Sequence, residues 1–211
     1  MRHRHTSIAM IVAATLAVGC ATERQTQTAM GTGAGAATGA AVGGAMGGGR
    51  GAAIGAVVGG GMGAAAGYNW DLIKEKLGMA TKDSGVQVSE QTDGALKVNV
   101  PGSVSFDSGS AAISPKVLPT LDKIANTLSE YPDTTVAVIG HSDSLGNAEA
   151  NKELSRKRPA AVADYLGQRG VRRDRLVVDG RGELEPITDN ATEAGRAQNR
   201  RVEMVIRPLK S

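Results

Sequence analysis

The stretch TTVAVIGHSDSLGNAEANKELSRKR, Thr134 to Arg158, is the part of the chain that indicates the fold most directly. It opens with a run rich in β-branched residues, which predicts a strand that ends near Gly140. A polar loop follows, and a helical pattern then runs from about Ala148 to Gln168, just before a Gly170 that can end it. A strand that passes through a loop into a helix predicts both kinds of element in one domain.

The flanking segments extend this domain over residues 84–211. Two alternating runs around Thr92-Asp93-Gly94 predict a β-hairpin. Ser114 as cap and Pro115 in the first turn predict the start of a helix with an apolar stripe. Two further strands are predicted by RLVVDGRG and RRVEMVIRP. The order ββαβαββ predicts an α+β fold in which two helices pack on one mixed sheet.

Residues 31–67 are almost wholly small and apolar, and glycine recurs in them at every fourth position. This spacing places the glycines on one helix face, where two backbones can approach closely. Arg50 is the only charge in the segment and marks a turn, so the segment predicts a glycine-zipper helical hairpin. The ten glycines in register are Gly31, Gly35, Gly39, Gly43, Gly47, Gly51, Gly55, Gly59, Gly63 and Gly67.

Three interpretations of this hairpin stay open: a membrane-associated or inserted hairpin, a packing seam within the protein or a homo-oligomer, and a segment without fixed structure. Residues 68–83 predict a short amphipathic linker helix after it. Tyr68 and Trp70 at its start suit either a membrane interface or ordinary packing.

The N-terminus predicts a signal peptide over residues 1–19. MRHRH is basic, and IAMIVAATLAVG is an apolar run of 12 residues, too short to span a bilayer. Cys20, the only cysteine, follows at once, and AVGC resembles a bacterial lipobox. The resemblance implies a lipidated Cys20, carrying palmitate, and a tether over residues 20–30 of an outer-membrane protein. The alternative is a secretory signal followed by a free thiol.

Charge and cysteine content exclude several classes of function. The net charge of +3 is modest and contains no basic block, so the sequence predicts no nucleic-acid binding. One cysteine cannot form an internal disulfide. After the signal peptide the chain keeps one histidine and one cysteine, too few for a structural zinc site, and we expect no metal and no cofactor.

The segment GHSDS, Gly140 to Ser144, is one residue away from the G-x-S-x-G elbow of serine hydrolases. Ser144 stands where the sharp turn needs glycine. His141 is the only histidine outside the signal, and adjacent residues of an extended chain point to opposite faces, so it cannot activate Ser142. The sequence therefore predicts no catalytic residues and no enzyme.

Four motifs carry a resemblance to a known family: SFDSGSAAI, GHSDSLGNAEANKELSRKR, RGVRRDRLVVDGRGE and EAGRAQNRRVEMVI. In order and spacing they resemble the OmpA-like peptidoglycan-binding domain, over about residues 86–208. With the lipobox and the glycine zipper in front, the chain resembles YiaD-type outer-membrane lipoproteins. The resemblance implies a protein held in the outer membrane by lipid, and in part by the zipper, whose C-terminal domain binds peptidoglycan in the periplasm. The alternative is an envelope assembly or signalling factor whose domain binds a protein partner.

Asp143 and Arg158 form the predicted centre of the site, because a strand end, a loop and a helix bring them toward one cleft. An anion and a cation suit a ligand with an ammonium and a carboxylate. Spacing alone leaves a stabilising salt bridge between them equally open. The resemblance implies that they bind the meso-diaminopimelate of the peptidoglycan stem peptide. By the same resemblance, further pocket residues are Asn151, Ser142, Ser144, Leu145, Phe106, Asp107, Asn199 and Arg200.

Two residues depart from the family pattern. Gly109 stands where relatives carry a polar side chain. Pro159 directly follows Arg158, and an interior proline removes a helix hydrogen bond. Either a kink at Pro159 re-aims Arg158, or the helix begins close to it.

Overall fold

The computed structural model describes residues 70–209, which form an α+β domain around a five-stranded mixed sheet. The strands lie in the order β1-β2-β5-β3-β4, and only β3 and β4 are parallel neighbours. This confirms the predicted fold class. The expectations for the signal peptide, Cys20 and the glycine hairpin lie outside the described residues. The strands are β1 Gln87–Glu90, β2 Leu96–Pro101, β3 Thr134–His141, β4 Leu176–Gly182 and β5 Arg201–Pro208.

Three longer helices cover one face of the sheet: the two predicted to pack there and the one predicted as a linker helix. They are α1 Trp70–Thr81, α3 Leu118–Glu130 and α4 Ala148–Gln168. Two short helices, α2 Gly102–Ser105 and α5 Glu193–Asn199, precede β-structure, and a 3-10 turn spans Arg173–Arg175. None of the helices within residues 70–209 is long and apolar enough to cross a membrane.

Helix α1 belongs to the core of the domain. Its residues Ile73, Leu77 and Ala80 are buried with the side chains of α3 and the sheet. Trp70 packs against the same core, and its Nε1 donates a hydrogen bond to the Gly94 carbonyl at 2.7 Å. The packed domain therefore includes Trp70–Thr81, which the sequence assigned to a linker before residue 84, and Trp70 packs against the core.

Helix α3 begins later than predicted. Its first residue is Leu118, and Pro119 takes the place in the first turn that was assigned to Pro115. The Ser114 backbone N–H instead donates to the Ser105 carbonyl at 2.8 Å. The Ser114 carbonyl accepts the Val117 N–H at 3.2 Å in a separate turn. The Ser114 Oγ accepts the Lys116 N–H at 3.4 Å, so Ser114 begins a turn that precedes the helix and does not cap the helix itself.

Helix α4 begins at Ala148, and the side chain of Asn147 caps it by accepting the backbone N–H groups of Glu149 and Ala150. It continues without interruption through Pro159 to Gln168. The interpretation in which the helix starts near Pro159 is therefore wrong.

Pro159 lies where α4 packs closely on β3. A Cβ atom on Gly140 would lie 2.7 Å from Pro159 Cδ and 2.0 Å from the Ser155 carbonyl oxygen. Only glycine fits at position 140 under that contact. Because proline has no N–H, it cannot satisfy the Ser155 carbonyl as a helix residue normally would. The close packing therefore brings together a glycine of the strand and a proline of the helix.

Candidate binding site

A cleft of about 640 Å³ opens where β3 ends, between the loop before α4 and the segment around α2. The strand and the helix place the predicted residues there because the loop between them is short and fixed at both ends. Eight of the ten predicted site residues line it: Phe106, Asp107, Ser142, Asp143, Leu145, Asn151, Arg158 and Arg200. Ser144 and Asn199 are not among its lining residues.

Asp143 is the buried anion of the cleft. Its Oδ1 accepts the backbone N–H of Leu145 at 3.2 Å, and its Oδ2 accepts from Arg200 Nη1 at 2.6 Å. No ion pair within residues 70–209 joins Asp143 to Arg158. The interpretation of these two residues as a salt bridge is therefore wrong, since the cation bound to Asp143 is Arg200.

Arg158 is buried, and it holds the segment on the opposite wall of the cleft. Its Nε donates to the Ser110 carbonyl at 2.9 Å and its Nη2 to the Asp107 carbonyl at 3.3 Å. Its guanidinium lies 5.1 Å from the centre of the Phe106 ring, a cation–π distance. Among the described residues, none accepts a hydrogen bond from Nη1.

Burial and the neighbouring charges shift the pKa of Arg158. Burial lowers the pKa of the Arg158 guanidinium, the positive charge of Arg200 lowers it further, and the negative charge of Asp143 opposes both. Arginine nevertheless stays charged in proteins. The cleft thus holds two guanidinium groups and one buried carboxylate within electrostatic range of each other.

Asn151 shapes the loop that carries Asp143. Its Nδ2 donates to the Leu145 carbonyl at 2.7 Å and to the Asp143 carbonyl at 3.3 Å. It does not cap α4, because Asn147 does so. Leu145, with 55% of its surface exposed, stands at the rim of the cleft.

Two predicted site residues have other positions. Asn199 is completely buried, and its side chain binds the backbone of Ile187 and Thr188, so it holds the loop between β4 and α5. Ser144 is exposed, in the loop after β3. Gly109 does line the cleft, and its φ of +68° is one that glycine adopts readily.

Glu193 is a cleft residue that sequence reasoning missed. Its Oε1 accepts from Arg200 Nη2 at 2.7 Å, so Arg200 lies between the carboxylates of Glu193 and Asp143. The hydrogen bond from Arg200 is the largest cause that lowers the pKa of the Glu193 carboxyl, and the bond from Arg196 adds to it. A glutamate in the first turn of a helix is ordinary, so the sequence carries no signal for this role.

His141 and Ser142 form the floor of the cleft. Neither nitrogen of His141 has a hydrogen-bond partner among residues 70–209, and the same holds for the hydroxyl group of Ser142. Burial is the main cause that lowers the pKa of His141 to about 4, and the charge of Arg201 acts in the same direction. His141 is therefore neutral at pH 7. Within the described part of the chain, no group of three metal-ligating side chains occurs.

The described domain thus combines an α+β sheet with a cleft that holds one buried carboxylate and two guanidinium groups. Residues 105–200 match the OmpA family, and residues 1–71 match the YMGG-like Gly-zipper family. The C-terminal domain of this chain belongs to the OmpA family, and a glycine-zipper segment precedes it.

Relatives agree with this assignment. The chain is 41% identical to the "Probable lipoprotein YiaD" of Escherichia coli over 68% of this chain and 65% of that protein. It is 38% identical to the "Peptidoglycan-binding protein ArfA" of Mycobacterium tuberculosis over 53% of this chain and 34% of that protein. The chain thus spans less than two thirds of the length of either relative.

A solved structure shares the fold. It is the cell wall anchor of the T6SS from Pseudomonas aeruginosa, which is 31% identical and superposes with a TM-score of 0.56. The match covers 64% of this chain and 99% of that one.

Proposed function

We propose that this protein is an outer-membrane lipoprotein that binds peptidoglycan non-covalently through the diaminopimelate of the stem peptide and so anchors the membrane to the cell wall. One observation carries the proposal: the buried carboxylate of Asp143 and the guanidinium groups of Arg158 and Arg200 line one cleft. A ligand end with an ammonium and a carboxylate matches these charges.

Each charged group has a defined role. The Asp143 carboxylate accepts hydrogen bonds from the ammonium. The free Nη1 of Arg158 and the donors of Arg200 bind the carboxylate, as planar guanidinium groups do well. Meso-diaminopimelate carries such an end in the stem peptide. The names of the mycobacterial relative and of the T6SS cell wall anchor support peptidoglycan as the ligand.

The envelope location is part of the same proposal. Residues 1–19 are the signal peptide, and Cys20 receives the lipid that holds the chain in the outer membrane. Residues 20–30 are the tether, and residues 31–67 form the glycine hairpin at the membrane or in a homo-oligomer. The domain then lies in the periplasm. Binding and tethering need no chemistry on the ligand, so the proposed function is not enzymatic.

Sedimentation with purified sacculi tests the proposal. The wild-type protein co-sediments with sacculi that contain diaminopimelate and binds less to sacculi that contain lysine at that position. Asp143→Asn and Arg158→Gln each abolish co-sedimentation while thermal unfolding shows a folded domain. Asp174→Asn, which breaks an exposed Arg172 ion pair before β4 at the other end of the sheet, is the matched control and retains binding.

Undiminished co-sedimentation of both cleft variants would contradict the proposal. A stoichiometric protein partner that co-purifies with the wild type, together with no sacculus binding, would favour the assembly or signalling function instead.

A further inference from the structure

The cation on Asp143 in the ligand-free protein is an internal side chain. Arg200 Nη1 lies 2.6 Å from Asp143 Oδ2, one of the two oxygens that can accept from a ligand ammonium. The other oxygen of Asp143 already accepts the Leu145 N–H. The side chain of Asp143 is 9% exposed and that of Arg200 is 31% exposed, so the arginine lies on the solvent side of the carboxylate. An ammonium that approaches Oδ2 from this side must take the place of Nη1.

Arg200 has a second anchor that does not depend on Asp143. Its Nη2 donates to Glu193 Oε1 at 2.7 Å, and this bond is the largest cause that raises the pKa of Arg200. Glu193 is itself held in place by Arg196, which donates to Glu193 Oε2 through Nε and Nη2. The guanidinium can therefore turn away from Asp143 and keep its bond to Glu193.

We propose that Arg200 is a displaceable counterion of Asp143, pivoted on Glu193, which makes the cleft select ligands that carry a carboxylate beside their ammonium. This inference rests on the proposed function and adds a basis for selectivity to it. Arg200 and Glu193 are positioning and specificity-determining residues of the site.

The selectivity follows from a count of ion pairs. A ligand with an ammonium alone replaces Arg200 on Asp143 and leaves Nη1 without an anion, so it exchanges one ion pair for another. A ligand with both groups gives Asp143 the ammonium and gives the released Nη1 a carboxylate. Arg158 Nη1 is the nearby donor that can share this carboxylate, since its other two bonds go to backbone carbonyls. The zwitterion therefore binds more tightly than the amine.

Calorimetric titration with two soluble peptides tests the inference. The peptides are the stem tripeptide that ends in meso-diaminopimelate and the same tripeptide with lysine at that position. The wild-type protein binds the first more tightly. In Arg200→Gln the ratio of the two affinities falls by about threefold or more, because the lysine peptide no longer competes with a cation and the diaminopimelate peptide loses a donor.

Glu193→Gln tests whether Glu193 acts by holding Arg200 or only through its own negative charge in the cleft. With Glu193 neutral, Arg200 keeps Asp143 as its only carboxylate, and both peptides bind about threefold more weakly. In the Arg200→Gln background the same substitution has no further effect. Asp174→Asn, which removes the carboxylate partner of the exposed Arg172, leaves both affinities unchanged.

The outcomes distinguish the two proposals. A wild type that binds neither peptide overturns the proposed function and the inference together. Wild-type binding that Asp143→Asn abolishes, with an unchanged affinity ratio in Arg200→Gln, overturns the inference alone. An effect of Glu193→Gln that persists in the Arg200→Gln background also overturns it.

Discussion

Asp143 and Arg158 each have a role beyond their charge. Arg158 donates to two backbone carbonyls of the segment 107–110 and stacks on Phe106, so it builds one wall of the cleft. Asp143 accepts the Leu145 N–H and thereby fixes the opposite loop. A lysine at position 158 would keep the charge and lose the fork that reaches both carbonyls. Charge and shape at this site come from the same side chains.

His141 makes the stability of the domain depend on pH. Its pKa is lowered to about 4 in the folded protein by burial and by the charges of Arg201, Arg181 and Lys97, which Glu203 opposes. In the unfolded chain the ordinary value is about 6.5. Above that pH both states are neutral. Between about 6.5 and 4 the unfolded state binds the proton and the folded state does not, so stability falls as the pH falls.

We expect urea unfolding to show this loss directly. Between pH 7 and pH 4 the wild type loses up to about 3 kcal/mol more stability than His141→Gln does. Carboxylates titrate in both proteins, so the difference between the two pH profiles isolates the histidine. Parallel profiles would mean that His141 is protonated equally in both states.

Eight of the ten site residues expected from the sequence line the cleft, and the salt bridge between Asp143 and Arg158 that spacing left open does not form in the described domain. The motif around Asp143 and Arg158 predicted that the two side chains share a cleft. Arg200 came only from the resemblance, and its bond to Asp143 spans 57 positions of sequence, which no local pattern indicates. Asn199 shares a motif with Arg200 but is buried on the other side of the backbone, beneath the loop after β4.

At the scale of elements, the packing of α4 on β3 determines where the cleft lies. α4 carries Asn151 and Arg158, and β3 leads into Asp143. Gly140 permits the close approach of the two elements. A shift of the helix against the strand would therefore move both walls of the site.

Gly140→Ala tests this contact. Its Cβ would lie 2.0 Å from the Ser155 carbonyl oxygen, so α4 must move, and we expect a loss of about 2 kcal/mol or more in the free energy of unfolding. Binding to sacculi falls as well. Gly78→Ala is the matched control, because Gly78 lies in α1 with nothing within 4 Å of the added atom. It should raise stability by about 1 kcal/mol, and an equally tolerated Gly140→Ala would contradict the account.

The sequence predicted the strands and α4 well because hydrophobic periodicity is local. It misplaced the start of α3, because the backbone bond from Ser114 to Ser105 holds Ser114 and Pro115 in a separate turn before the helix. It also treated α1 as a linker, since the amphipathic pattern of WDLIKEKLGMAT does not show which partner its apolar face contacts, and Ile73 and Leu77 complete the core. In both cases a tertiary contact outweighed the local pattern.

At the scale of the molecule, α1 joins the domain to everything that precedes it. Ile73 and Leu77 are almost completely buried, and each contributes about 1.5 to 3 kcal/mol. We expect a fragment of residues 70–211 to fold and a fragment of residues 84–211 to be less stable by about 3 to 6 kcal/mol, as thermal unfolding would show. In the longer fragment Leu77→Ala is destabilising, whereas Met79→Ala, at an exposed position of the same helix, is not. Equal stability of the two fragments would contradict this role of α1.

The proposed tether has two attachments, and they can be separated by fractionation of cells. Two or three acyl chains on Cys20 hold a protein firmly in a bilayer, since each buried methylene contributes about 0.8 kcal/mol. The two predicted helices of residues 31–67 span about 25 Å each, which is short for a hydrocarbon core of roughly 30 Å. Lipid should therefore be the main membrane anchor.

Three variants follow from this. Deletion of residues 31–67 leaves the protein in the membrane fraction. Cys20→Ser removes it from the membranes and leaves it on the sacculi, because the cleft around Asp143 still binds. The double variant Cys20→Ser with Asp143→Asn appears in the soluble fraction, since neither attachment remains. If Cys20→Ser stayed with membranes that had been stripped of peptidoglycan, the glycine hairpin and not the lipid would hold the protein there, and deletion of residues 31–67 in that background would then release it.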